Sequence, residues 1–408
     1  MASIVSRISE DDFLTPDFFH NPYPFYERLL SESPVVWSQK VNGWLVTPFD
    51  SVQQGLQSMD FGAGGRIAQA ASLLDPDVRV QNRAVFDCLE AMMSFRDAPD
   101  HTRLRRLVSK AFTARRIGSM KSDIETLVND LLDQWPTDRQ FDLIQMFSFK
   151  LPAMVISKLL GIPFSRLSDL NRWAEGIVNL LSAGVMTPEA ARSANEAVIE
   201  ASEYLESLIK EKEQHPTHDL LSDLIVIENE DGSFSREELI ALVIQLFFAG
   251  FETTEGLIGN ALNILLQQRE SYSELVDDQT ITEKLTEEVL RFDNSIQRQT
   301  RIARKNIEVN GVEIIQGDYV FFLIGAANRD PRRFTTPNHF NSHRKDAGNV
   351  SFGHGPHFCL GAPLARLETQ IALRNIANRF PELRLVGDTQ YGNLLAVRKP
   401  KSLMLLTQ

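Results

Sequence analysis

Near its C-terminus the chain reads Phe352-Gly353-His354-Gly355-Pro356-His357-Phe358-Cys359-Leu360-Gly361-Ala362-Pro363-Leu364-Ala365-Arg366. This is a glycine-punctuated loop that delivers one cysteine to the start of a helix. Pro363 suits a first-turn position, where its missing N–H is not needed, and Ala362 to Phe380 then keeps helical spacing. A thiolate placed there is stabilised by the positive end of the helix dipole and by free N–H groups. Gly355 and Gly361 permit close backbone approach to something large and flat. An inert buried cysteine fits the same residues. Tetrahedral zinc does not, because no second cysteine or paired histidine stands at ligand spacing.

Outward from this loop the chain has the balance of a globular protein. Its 408 residues are 43% hydrophobic and 24% charged, near the averages for folded domains. The 42 Lys+Arg against 54 Asp+Glu give a formal charge of -12, which argues against a nucleic-acid partner. Two cysteines, Cys88 and Cys359, cannot build a disulfide framework and fit a reducing, cytoplasmic setting. The N-terminal sequence shows no signal-peptide pattern. The longest apolar run, Leu239 to Phe251, is interrupted by Gln245 and falls short of the roughly 20 residues a membrane span needs.

Helical spacing covers Pro22 to Ser31, His101 to Phe112, Ser119 to Gln134, Pro188 to Gln214, Arg236 to Gln268 and Thr280 to Phe292. Strand signals cluster at Val35–Trp37 and Trp44–Val46 around Asn42-Gly43, and at Ile307–Val309 and Val312–Ile314 around Asn310-Gly311. Asn-Gly between such runs predicts tight hairpins. The fold class is therefore mainly α with minor antiparallel β. No repeat or linker marks a boundary.

Ser235 and Glu238 make a capping box before an apolar helix that reaches Ala249-Gly250-Phe251-Glu252-Thr253-Thr254. A glycine, an acid and two hydroxyls in the most apolar helix are costly: Gly alone loses about 1 kcal/mol relative to Ala. A kinked core helix is one reading of that segment and a functional turn is the other.

The pattern Phe-x-x-Gly-x-x-x-Cys-x-Gly, met by Phe352, Gly355, Cys359 and Gly361, resembles the haem-binding loop of the cytochrome P-450 superfamily. Glu288-Val289-Leu290-Arg291 resembles the family's Glu-x-x-Arg helix, and Ala249 to Thr253 its oxygen-activating helix. His101-Thr102-Arg103-Leu104-Arg105 resembles the haem-propionate helix. Ala327-Asn328-Arg329-Asp330-Pro331, with Phe340 and Arg344, resembles the meander before the haem loop. The matches stand in family order over nearly the whole chain. The resemblance implies one P-450 domain over 1–408, β-rich at about 35–60, 295–325 and 383–408, and helical at about 85–292 and 326–380.

It also implies roles. Cys359 is the axial ligand to the iron of haem b, its thiolate favouring O–O cleavage. His101, Arg105, Arg301 and His357 bind the haem propionates, and Phe352, Gly361 and Ala249 adjoin the cofactor. Glu252 and Thr253 deliver protons during oxygen activation, with Thr254 packing or capping. Glu288, Arg291 and Arg344 form a buried structural network; read alone, Glu288 and Arg291 are equally an exposed i,i+3 pair. The pocket draws on the 61–93 loop, Ile177 to Met186, Gln245, Phe248 to Ala249, Ile296, Leu394 and Leu395. These residues are mostly apolar and suit an apolar or amphipathic small molecule. Two departures stand out: Phe292 to Gln297 lacks the proline that the family commonly has near Ser295, and Leu394–Val397 lacks the usual glycine-containing form.

No Rossmann pattern frames Gly62-Ala63-Gly64-Gly65. Electrons from NAD(P)H are therefore expected through a separate ferredoxin and ferredoxin reductase, docking on Arg103, Arg106, Lys110, Arg115, Arg116 and Arg374. The expected protein is a monomer, with neither nucleic acid nor membrane as partner, that inserts one atom of O2 by C–H hydroxylation or epoxidation. Atypical haem-thiolate chemistry (bond coupling, nitration, rearrangement) and a non-catalytic haem sensor are the alternatives. A sensor has no use for the Glu252-Thr253 pair.

Overall fold

The computed structural model describes residues 9–182, 186–231, 235–346 and 348–407. Residues 1–8, on which part of the leader expectation rests, and Ala183 to Val185 of the expected pocket segment lie outside the described residues. Two compact units emerge. One comprises Met1–Phe61, Ile124–Leu151 and Thr253–Gln408, the other Gly62–Asp123 and Pro152–Glu252.

The periodic segments form helices close to their expected limits: Tyr23–Glu32, Asp100–Ala111, Lys121–Leu132, Pro188–Gln214, Arg236–Gln267, Thr282–Phe292 and Ala362–Arg379. The Arg236–Gln267 helix is long and apolar enough to cross a membrane, but 72% of its apolar window is buried within the protein. It is a core helix. Its capping box is made in both directions: Glu238 N–H donates to Ser235 Oγ and Ser235 N–H to Glu238 Oε2, each at 3.2 Å.

In the first unit, a mixed sheet holds Val35–Ser38, Gly43–Val46, Tyr319–Leu323 and Arg298–Ala303. Gly43–Val46 runs parallel to Tyr319–Leu323, with Trp44 opposite Val320. This is a parallel pairing between segments remote in sequence; the pairings beside it, such as Val35–Ser38 with Gly43–Val46 and Arg298–Ala303 with Tyr319–Leu323, are antiparallel as expected. The two hairpins also differ. Asn310 and Gly311 take φ of 52° and 80° between the paired Val309 and Val312, a two-residue turn of the expected kind. At Asn42-Gly43 the turn is longer, because Gly43 already pairs with Ser38 in the strand. Glycine is needed there for space: a Cβ would stand 2.6 Å from the Phe321 ring.

A buried polar network, which no local pattern announced, ties the two ends of the chain to the Thr282–Phe292 helix. Asp293 Oδ1 accepts from Tyr23 Oη at 2.5 Å and from Arg398 Nε at 2.7 Å. Arg398 also donates to the carbonyls of Phe19 and His20, and its guanidinium lies 3.7 Å from the centre of the Tyr391 ring. Arg329 sits between the rings of Tyr23 and Phe292, at 3.3 and 3.8 Å. Burial raises the Tyr23 hydroxyl well above its ordinary value, reinforced by Asp293, so it stays a donor.

The second unit is helical. Leu167–Ser182 and Pro188–Gln214 pack together, and Asn195 Oδ1 accepts from the Val85 N–H of the Arg83–Ala91 helix at 3.1 Å. The Gln214 to His218 turn is closed by a buried ion pair, Lys212 Nζ to Asp219 Oδ2 at 2.5 Å. Glu238 receives Arg96 at 2.9 Å and Arg103 at 2.6 Å, fastening the start of the long helix to the Asp100–Ala111 helix.

Removing one member of a buried ion pair strands the other. Arg398→Met is therefore expected to cost about 3–5 kcal/mol and Tyr23→Phe about 1.5–3 kcal/mol, as for a hydrogen bond to a charged group. Urea unfolding of both variants checks this; equal, sub-kcal losses would show that the network fastens nothing.

Candidate functional site

The cysteine loop is held at both ends. Gly353 and Gly355 adopt φ of 73° and 70°, the left-handed region that favours glycine. At Gly355 a Cβ would also stand 2.7 Å from the Gln57 backbone, so the loop lies against the Phe49–Gln57 helix. Cys359 N–H donates to the Phe352 carbonyl at 2.9 Å, and Phe358 N–H to the Gly355 carbonyl at 3.0 Å. The Phe352 ring lies under the Arg366 guanidinium at 4.5 Å; Arg366 is itself paired to Glu287. Cys359 thus comes just ahead of the Ala362–Arg379 helix, with Gly361 as its N-cap and Pro in the first turn.

The two cysteines differ in environment. Burial pushes the Cys88 thiol up to about 12, which leaves it inert. Cys359 is exposed. A Cβ on Gly361 would stand 3.9 Å from Cys359 Sγ, with no other described atom within 4 Å beyond its chain neighbours. An accessible soft sulfur beside a side kept open by glycine, with the exposed Phe358 ring adjoining, fits a flat iron-bearing macrocycle. The residues present therefore fit haem.

Glu288 is the centre of the arrangement behind this loop. Arg291 grips it with two bonds, Nε to Oε2 and Nη2 to Oε1, both 2.8 Å. Arg344 Nε lies 3.1 Å from each carboxylate oxygen. The three side chains are only 3%, 3% and 7% exposed, so the solvated-pair reading falls away. Arg291 Nη1 donates to the carbonyls of Asn328 and Pro337, at 3.0 and 2.9 Å. Asn328 in turn accepts from Val350 N–H at 2.9 Å and donates to Ser351 Oγ at 2.8 Å. The meander and the root of the cysteine loop hang from one carboxylate.

The other expected residues distribute between the units. In the first, Arg301 is buried at 3% exposure, opposite Val320 in the sheet, with Nη1 donating to the Thr300 carbonyl at 2.8 Å; His357 is half-buried in the loop itself. In the second, His101 is buried and Arg105 half-buried, one turn apart on the Asp100–Ala111 helix. Along the long helix Ala249 is exposed, Glu252 buried, Thr253 half-buried and Thr254 buried, so Thr254 packs. Gln245 Oε1 accepts from Ser94 N–H at 3.2 Å. Phe248 and Ile177 line one small apolar cavity with Trp173 and Phe247. It encloses about 20 Å³, room for about one water.

Two expectations are narrowed. Leu395 is buried in the aromatic cluster of Phe13, Phe18, Tyr23 and Tyr26. It packs in that core, while Leu394 stays half-buried. Of the basic residues assigned to docking, Arg103 is engaged by Glu238 and Arg116 by Asp223; Arg106, Lys110 and Arg115 stay exposed.

Two further side chains stand out, one of them, Ser295, marked in the sequence only as part of a departure. Ser295 Oγ donates to the Thr253 carbonyl at 2.6 Å. Glu368 is 2% exposed, and its Oε2 finds no partner among the described residues. Burial holds its carboxyl well above the ordinary range. The sequence did carry a signal: Leu364, Glu368, Ile371 and Ala372 fall on one helical stripe, and all four are buried.

The sequence model of the cytochrome P450 family matches residues 77–390. Cytochrome P450 107B1 of Saccharopolyspora erythraea is 39% identical over 376 residues, 90% of this chain and 89% of its own. The 6-deoxyerythronolide B hydroxylase of the same organism is 34% identical over 383 residues, 91% and 92% of the two chains. The crystal structure of P450BioI in complex with hexadec-9Z-enoic acid ligated acyl carrier protein matches with a TM-score of 0.88 at 33% identity, covering 96% of this chain and 99% of that one.

Glu368 gives a test by pH. Its carboxyl is raised in the fold, so the folded chain keeps a proton that the unfolded chain releases near pH 4.3. The associated stability is full below that value. It is lost as pH rises toward the folded pKa, by about 1.4 kcal/mol per pH unit. Glu368→Gln is therefore expected to lose less Tm between pH 5 and pH 8 than the wild type; parallel curves would mean that the carboxyl is ionised and paired.

Proposed function

Because the chain belongs to the cytochrome P450 family, and is a haem b monooxygenase drawing electrons ultimately from NAD(P)H, we propose that it oxidises an apolar or amphipathic small molecule. The reaction is C–H hydroxylation or epoxidation, carried out in the cytoplasm as part of bacterial secondary metabolism, with a separate ferredoxin and ferredoxin reductase as electron donors. The observation that carries this reading is the Cys359 sulfur, accessible at a helix N-terminus on a loop fixed by the Glu288 network. Bound through that sulfur, haem supplies reductive activation of O2, which the thiolate promotes by electron donation.

The chain's own residues divide the remaining work. The residues assigned to the haem propionates, His101, Arg105, Arg301 and His357, neutralise carboxylates and orient the cofactor. Phe352 and Gly361 shape the sulfur's side, and the exposed Ala249 leaves clearance on the long helix. Thr253 holds a proton at Oγ1 where oxygen chemistry needs it, and the Glu252 carboxylate resupplies it. A half-buried hydroxyl next to a buried acid suits a site that must admit protons without flooding.

Substrate shape is the province of Ile296, Leu394, Gln245 and Phe248. Ile296 pairs with Val397 in an isolated β-bridge. The likeness to a protein solved with an acyl carrier protein favours one second reading, a carrier-tethered acyl substrate; the likeness to a 6-deoxyerythronolide B hydroxylase favours a free one.

Ligands that shift the Soret band identify a substrate, and turnover with surrogate ferredoxin and reductase then tests the assignment. Thr253→Ala is expected to bind haem and consume NADH, with product formation falling roughly 10²-fold, the low end of what a positioned proton donor contributes, and peroxide taking its place. Unchanged product per NADH would remove Thr253 from proton delivery.

A further inference from the structure

Ser295 lies in the segment where the resemblance leads one to expect a proline nearby, and its side chain makes a bond that a proline could not. Its hydroxyl donates to the Thr253 carbonyl at 2.6 Å. The close approach depends on Gly256: a Cβ there would lie 3.0 Å from Ser295 Oγ and 3.1 Å from the Arg398 carbonyl. Ser295 itself is only 5% exposed.

The residue is anchored on both sides. Its carbonyl accepts from Arg398 N–H at 2.6 Å, and Arg398 is locked to Asp293, two residues before Ser295. On the other side Gln297 N–H donates to the Ala396 carbonyl at 2.9 Å, and Gln297 Nε2 to the Asn294 carbonyl at 2.7 Å. A hydroxyl so held cannot follow the helix; the helix must follow it. An external donor on a helical carbonyl competes with the i+4 amide, here Leu257, and bends the turn. The turn it acts on carries Glu252 and Thr253.

We propose that Ser295 is a positioning residue for oxygen activation, setting the direction of the Thr253 side chain by holding its carbonyl. The inference rests on the reading of Thr253 as a proton donor. It also joins that residue to the pocket wall, because Ile296 is the next residue and a substrate pressing on it acts on the same anchored segment.

The test uses the haem-loaded enzyme with surrogate redox partners and a Soret-shifting substrate. Ser295→Val and Ser295→Thr are isosteric and differ in the hydroxyl alone. Ser295→Val is expected to lower product per NADH about 3- to 10-fold, the size of effect one ordinary hydrogen bond can transmit, with peroxide rising and the carbon monoxide difference spectrum unchanged. Ser295→Thr restores coupling. Hydrogen exchange at the amides from Thr253 to Leu257 is expected to quicken in Ser295→Val and not in Ser295→Thr, a readout independent of turnover. Ser295→Ala should behave as the valine variant. Equal coupling and equal exchange in the valine and threonine variants would overturn the inference. If Thr253→Ala uncouples while Ser295→Val does not, this inference alone fails; if Thr253→Ala stays coupled, the reading beneath it fails.

Discussion

One carboxylate, Glu288, with two guanidiniums closed around it, is the constraint on which the rest depends. A buried ion pair adds little net stability, because desolvating the charges offsets much of their attraction. Its value here is geometric. Arg291 has donors left after gripping Glu288, and spends them on the carbonyls of Asn328, Pro337 and His339; Arg344 reaches the carbonyl of His339 as well. Irregular backbone that would otherwise bury unsatisfied carbonyls is thereby given one conformation. The same fixing passes through Asn328 to Val350 and Ser351, and so to the start of the cysteine loop. Without that chain of bonds, two left-handed glycines would leave Cys359 free to wander.

A second buried cluster plays the matching part for the segment that follows. Asp293 is held by Tyr23 and Arg398, and from there Ser295, Ile296 and Gln297 lead into the Arg298–Ala303 strand. The two networks are anchored at Glu288 and Asp293, on one short stretch of chain. Buried charge gathers where loops need definition, here around Glu288 and Asp293 and in the second unit at the Lys212–Asp219 pair.

The sequence made visible what is local. Helix limits, the Ser235–Glu238 box, the Asn310-Gly311 turn and the Gly-framed cysteine all follow from short-range periodicity, capping and left-handed backbone, and each could be read without a fold. The Glu288 triad became legible only through the family pattern, since Arg344 is 56 residues from its partner. What stayed hidden is what depends on distant partners. The parallel pairing of Gly43–Val46, the Tyr23–Asp293–Arg398 cluster and the burial of Leu395 have no local signature. At Gly43 a glycine chosen for space beside Phe321 looked like one chosen for a turn. Ser295 was noticed as a departure, but its meaning needed the Thr253 carbonyl 2.6 Å away.

The central claim is that Cys359, so presented, ligates iron as a thiolate. The most direct measurement is the difference spectrum of the dithionite-reduced protein with and without carbon monoxide. The account predicts the red-shifted Soret band of a thiolate-ligated haem, and its disappearance in Cys359→Ala with Cys88 intact. A wild-type protein lacking that band, or an alanine variant that keeps it, would contradict the account.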